Sequence, residues 1–126
     1  MHILIIDDNY QTIDRLKEKI YNVNNNHDVT IACSNNEISV ALKECPELIF
    51  IRSGIGFIED FFLSRMIRNM DEFKHIPIVM ISPWSQNDYY HEAREAGISG
   101  FINSSLENAT VSAKLENLHQ TMAIAN

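Results

Sequence analysis

An α/β domain with one parallel sheet of five strands is what this sequence predicts. Short apolar runs recur along the chain, amphipathic segments separate them, and the connections between are short and polar. The first run, Ile3 to Ile6, ends abruptly in Asp7 and Asp8, and a helix follows from about Tyr10 to Tyr21 with Ile13, Leu16 and Ile20 on one stripe. Asn22 to Asp28 is an Asn-rich turn, and Val29 to Cys33 is a β-branched strand. Asn35 or Asn36 is the expected cap of the second helix, which runs to about Cys45 and stops before Pro46.

Leu48 to Ile51 is a continuous apolar run, the pattern of a strand covered on both faces, and it ends in Arg52. Ser53-Gly54-Ile55-Gly56 follows, where two glycines point to positive φ or a close backbone approach. The third helix is expected over about Ile58 to Asn69, with Phe61, Phe62, Met66 and Ile67 among its apolar positions. Ile78 to Ile81 is the fourth strand, ending in Ser82, and Gln86 to Ala96 the fourth helix, closed by Gly97. A short strand, Gly100 to Ile102, and a helix from about Leu106 to His119 complete the order. Residues 1–121 form the expected domain and 122–126 a fraying tail.

Five such units fit a flavodoxin-like (βα)5 three-layer sandwich of strand order 2-1-3-4-5. That order puts the ends of strands one and three side by side, so Asp7, Asp8 and Arg52 should share one crevice at the carboxyl edge of the sheet.

The chain has 126 residues, 45% apolar and 21% charged, enough for a single core. A net charge of −7 with scattered Lys and Arg argues against sequence-blind binding to nucleic acid or an anionic membrane. No apolar stretch approaches a membrane span, and no secretory signal precedes the first strand; Met1 opening into that strand is what a native N-terminus looks like. Cys33 and Cys45 have no CxxC or histidine at ligand spacing and read as reduced thiols of a cytoplasmic protein. The five histidines show no ligand spacing either.

Four stretches, in order, carry a resemblance over nearly the whole chain: Leu4-Ile5-Ile6-Asp7-Asp8-Asn9, Pro46-Glu47-Leu48-Ile49-Phe50-Ile51, His75-Ile76-Pro77-Ile78-Val79-Met80-Ile81-Ser82, and Glu95-Ala96-Gly97-Ile98-Ser99-Gly100-Phe101-Ile102. The chain resembles the receiver domain of two-component response regulators, CheY-like signalling modules. The resemblance implies that Asp7 and Asp8 match the acidic pair that helps hold Mg²⁺, Ser82 the switch hydroxyl and Phe101 the switch aromatic. The departures fall on reactive positions. Arg52 stands where the family has its phosphoacceptor aspartate, Ile55-Gly56 where it has Met-Pro, and Ser104-Ser105 where it has Lys-Pro. The pattern is that of a pseudo-receiver with a degenerate phosphorylation pocket formed by Asp7, Asp8, Arg52, Ser82 and Ser104.

A guanidinium carries only donors and is always charged, so Arg52 is neither a nucleophile nor a metal ligand. Two positions are open to it: paired bidentately with Asp7 or Asp8 in place of a metal, or swung out to solvent. The acidic pair is either vestigial or a weak Mg²⁺ site completed by the Gly54 carbonyl and water. Ser53 is the nearest hydroxyl, but no base is in sight to activate it. Phe101 lacks the hydroxyl of tyrosine and is expected packed inward. Trp84, Tyr89 and Tyr90 lie on the face that receivers commonly present to partners, and read either as a contact surface or as local packing.

The expected function is a non-enzymatic, cofactor-free signalling module that acts through a protein partner or self-association over the face of helix four, strand five and helix five. With no output domain expected after the last helix, any output would come through that contact. Two alternatives remain: a regulator phosphorylated on a non-standard acceptor, and a small-ligand protein using the flavodoxin-like crevice. Against the latter, the turn Asp7-Asp8-Asn9-Tyr10 lacks a phosphate cradle.

Overall fold

The computed structural model describes residues 1–83, 86–107 and 110–116. Its elements run β1 (His2–Ile6), α1 (Tyr10–Val23), β2 (Asp28–Ala32), α2 (Asn35–Leu42), β3 (Leu48–Arg52), α3 (Asp60–Arg68), β4 (Ile78–Ser82), α4 (Gln86–Glu95) and β5 (Gly100–Asn103). A helical segment over 110–116 follows β5. The strands form one parallel sheet of order β2-β1-β3-β4-β5, the expected flavodoxin-like arrangement. The tail 122–126 lies outside the described residues.

Alternation along the strands builds two apolar layers. Leu4, Ile6, Ile49, Ile51, Ile78 and Met80 meet α2, α3 and α4 on one face. Ile3, Ile5, Leu48, Phe50, Val79 and Ile81 meet Ile13, Leu16 and Ile20 of α1 and Val111 and Leu115 of the last helix on the other. β1, β3 and β4 are apolar at nearly every position because they are covered twice.

Three boundaries differ from expectation, each through a local hydrogen bond. Ser34, not Asn35 or Asn36, caps α2: its Oγ accepts from the Glu37 N–H at 3.3 Å, while Glu37 Oε2 accepts from the Cys33 N–H at 2.7 Å. This is a Ser-x-x-Glu capping box shifted by one donor. α2 stops at Leu42 because Lys43, Glu44 and Cys45 fold their N–H groups back on Val40, Ala41 and Leu42, leaving Cys45 left-handed at φ 57. α3 begins at Asp60 because the Glu59 carboxylate takes the Phe61 and Phe62 N–H groups at 3.1 and 2.8 Å. On α3 it is Leu63 and Ile67 that enter the core, while Phe62 is 58% exposed.

Candidate functional site

Strand register assembles the site. Ile6 pairs with Ile51, so Asp7 and Arg52 leave adjacent strands at the same level. Ser82 pairs with Asn103, which brings β4 and the start of the following turn to that edge. Ser53 N–H donates to the Ile81 carbonyl at 2.8 Å and Ser104 N–H to the Ser82 carbonyl at 3.0 Å, closing the floor.

Arg52 does not swing to solvent, and it does not pair bidentately with a single acid. Its Nε donates to Asp7 Oδ1 at 2.5 Å and its Nη2 to Asp8 Oδ1 at 2.5 Å, one bond to each. Nη1 reaches the Ser53 carbonyl at 3.3 Å. The remaining acceptor capacity is also used. Asp7, which is buried, takes the Asn9 N–H at 3.0 Å on Oδ1 and the Thr12 hydroxyl on Oδ2. Asp8 Oδ2 takes the Gly56 N–H at 2.9 Å.

Each glycine of the β3–α3 loop answers a local demand of the backbone. Gly54 sits at φ +79 and donates its N–H to both oxygens of Asp60, at 3.0 and 3.2 Å. At Gly56 a Cβ would stand 3.3 Å from Asp8 Oδ2, a tight contact that the missing side chain of glycine avoids.

The charges respond accordingly. The Gly56 N–H holds the Asp8 carboxyl below its ordinary value against the effect of burial, and Arg52 adds to the lowering. Burial pushes the Arg52 guanidinium down, but its bonds and charge pairing with Asp7 and Asp8 outweigh that and raise it. Asp60 is buried and pushed up by desolvation; the Gly54 N–H opposes this, Glu59 adds to it, and Arg52 lowers it again. Burial, then Glu37, Asp7 and Asp8, raise the Cys33 thiol.

This donor set does not fit a divalent ion. Arg52 fills the position of a third ligand, both acids already accept hydrogen bonds, and among the described residues no three His, Cys, Asp or Glu side chains group as metal ligands.

Ser82 is buried at the edge of this cluster. Ser104 is half-buried. Lys114 reaches β5 at its other end, where its Nζ would lie 2.8 Å from a Cβ on Gly100. Phe101 is partly buried against the α2–α3–α4 layer. Tyr89 and Tyr90 stand 39% and 44% exposed on α4, and Arg94 donates to the Tyr90 hydroxyl at 2.9 Å with its guanidinium 5.6 Å from the ring centre. Trp84 lies outside the described residues. Sequence reasoning missed Thr12 and Asp60. Thr12 was legible as the hydroxyl in the first turn of α1, over the end of β1, whereas Asp60 becomes visible only once the loop is folded.

No family model matches the chain. The chemotaxis protein CheY-3 of Vibrio cholerae is 24% identical over 123 residues, spanning 97% of this chain and 94% of that protein. Among solved structures, the signal receiver domain of a DNA-binding response regulator (merR) from Colwellia psychrerythraea 34H matches with a TM-score of 0.86 at 16% identity, over 95% of this chain and 98% of that one. The phosphorylated cyanobacterial phytochrome response regulator RcpA matches with a TM-score of 0.80 at 19% identity, over 95% and 94%. The chain therefore has the receiver fold. Among the described residues, no helix is long and apolar enough to cross a membrane.

Proposed function

We propose that this chain is a receiver-like module of two-component signalling in which Arg52 stands in for both the phosphoacceptor and the metal. It is then a cytoplasmic, non-enzymatic domain that works through protein contacts without phosphorylation at the usual position. One observation carries the reading: a single guanidinium bridges Asp7 and Asp8.

Charge arithmetic supports it. Three carboxylates with one divalent cation sum to −1, and two carboxylates with one guanidinium also sum to −1. The substitution keeps the charge of a metal-loaded receiver site while removing the nucleophile. Ser53 and Ser82 are buried, and their backbone groups are bonded at the strand ends; a serine needs an activating base to act as a nucleophile. Tyr89 and Tyr90 offer the exposed aromatic surface that a partner, or a second copy, would meet on the α4–β5 side.

Intact mass after incubation with Mg²⁺ and acetyl phosphate tests this. The natural chain should gain no phosphoryl group. A stoichiometric adduct would overturn the reading, and mapping it would identify the acceptor.

A further inference from the structure

At the far edge of the sheet from β5, β2 has no neighbour beyond it among the described residues. Asp28 donates its N–H to the Met1 carbonyl at 3.1 Å and Ala32 accepts from the Asp7 N–H at 3.2 Å. Residues 28, 30 and 32 therefore turn their main-chain groups toward β1, and Val29 and Ile31 turn theirs outward. The next outward donor, Cys33 N–H, is closed off by Glu37. The strand is short and carries a charge at Asp28, but it contains no proline, lysine or glycine.

Beside this edge lies a groove of about 330 Å³ lined by Thr30, Ile31, Glu37, Val40, Ala41 and Glu44. Val40 is 61% exposed at its centre. Glu37 stands in the first turn of α2 and Glu44 just past its end, both on the rim of this groove with Val40 between them in sequence. Glu44 accepts from the Thr30 hydroxyl at 3.2 Å and lies 3.7 Å from His2 Nε2, with its side chain still 54% exposed. Asp28 adds a third exposed acid at the start of the strand. Lys43, next to Leu42 at the end of α2, lines a different groove with Leu42 and Cys45.

We propose that this edge accepts an added strand from a partner protein, an extended segment of alternating pattern basic–x–apolar–x–basic. Val29 and Ile31 supply the main-chain hydrogen bonds. Residues i and i+4 of an extended segment are about 13 Å apart, which sets two lysine or arginine heads against Glu37 and Glu44 while the residue between covers Val40. The charge selects the occupant. A second copy would bring Asp28, Glu37 and Glu44 against their own counterparts on a chain of net charge −7.

The test is amide hydrogen exchange and NMR titration of the intact chain with the blocked peptide Lys-Thr-Val-Thr-Lys. Protection should rise at Val29 and Ile31, weaken with added salt, and be absent with Glu-Thr-Val-Thr-Glu. The V40K variant, changed at an exposed position, should keep its spectrum elsewhere and bind about tenfold more weakly. Unchanged Val29 and Ile31 amides, equal binding of the acidic peptide, or protection that grows with protein concentration without peptide would each overturn the proposal.

Discussion

Arg52 and Arg68 are both half-buried, yet they hold opposite kinds of partner. Arg52 faces two carboxylates, and its guanidinium is held more firmly protonated than usual. Arg68, at the end of α3, faces no carboxylate among the described residues. It donates to the carbonyls of Gly97, Phe73 and Ile76 and to the Ser99 hydroxyl, and burial lowers it. Arg68 is a strut that ties α3 to the entries of β4 and β5, with its aliphatic stem against Gly97. Arg52 is a counter-ion. A half-buried arginine bonded to carbonyls organises backbone, whereas one bonded to converging acids neutralises them.

The largest expected effect is at the strut. Arg68→Ala leaves three carbonyls short of a donor and should cost about 3–5 kcal/mol in urea unfolding. Arg68→Lys should recover less than half, because an ammonium does not span them. Arg52→Met, measured the same way without divalent ions, should cost about 2–3 kcal/mol. That is below the figure for a fully buried pair, because part of the guanidinium reaches solvent and Asp8 is a third exposed. An Arg52 loss as large as that at Arg68 would erase the distinction.

Thr12→Val removes the hydroxyl bonded to Asp7 Oδ2 and should cost about 1–2 kcal/mol. Asp60→Asn keeps an acceptor for the Gly54 N–H without the buried charge, and should change neutral-pH stability by less than about 1 kcal/mol, in the stabilising direction.

The two acids also have opposite pH signatures. Asp8 is lowered from 3.8, so its contribution is complete above that value and is lost as pH falls through the lower folded value. Asp60 is raised from 3.8, so its burial opposes folding above the raised value, and that cost is relieved as pH falls through it. The advantage of Asp60→Asn should therefore vanish on acidification in a stability-versus-pH series, while Asp8→Asn should flatten the acid limb of the curve.

Much of the fold was legible because strand burial and helix amphipathicity are periodic. Ile3–Ile6 and Leu48–Ile51 could be little other than doubly covered strands, and their parallel order alone puts Asp7 beside Arg52. The misplaced helix starts were set by side chains that out-competed their neighbours. Glu59 caps α3 although glutamate is an unusual cap, and Ser34 with Glu37 displaced two asparagines. Gly54 and Gly56 announced an unusual loop, but their partners, Asp60 and Asp8, depend on a folded path that no local pattern encodes. The division of Arg52 between two acids likewise follows from register to within one residue, and sequence alone left it as a choice.

The most direct measurement of the central claim is Mg²⁺ binding, by calorimetry and by thermal shift, on the natural chain and on Arg52→Asp side by side. The natural chain should show neither heat nor stabilisation, while the variant, with three clustered carboxylates, should be destabilised without metal and regain stability as Mg²⁺ is added. A natural chain stabilised by Mg²⁺, or an Arg52→Asp variant indifferent to it, would contradict the assignment of Arg52 as the resident cation.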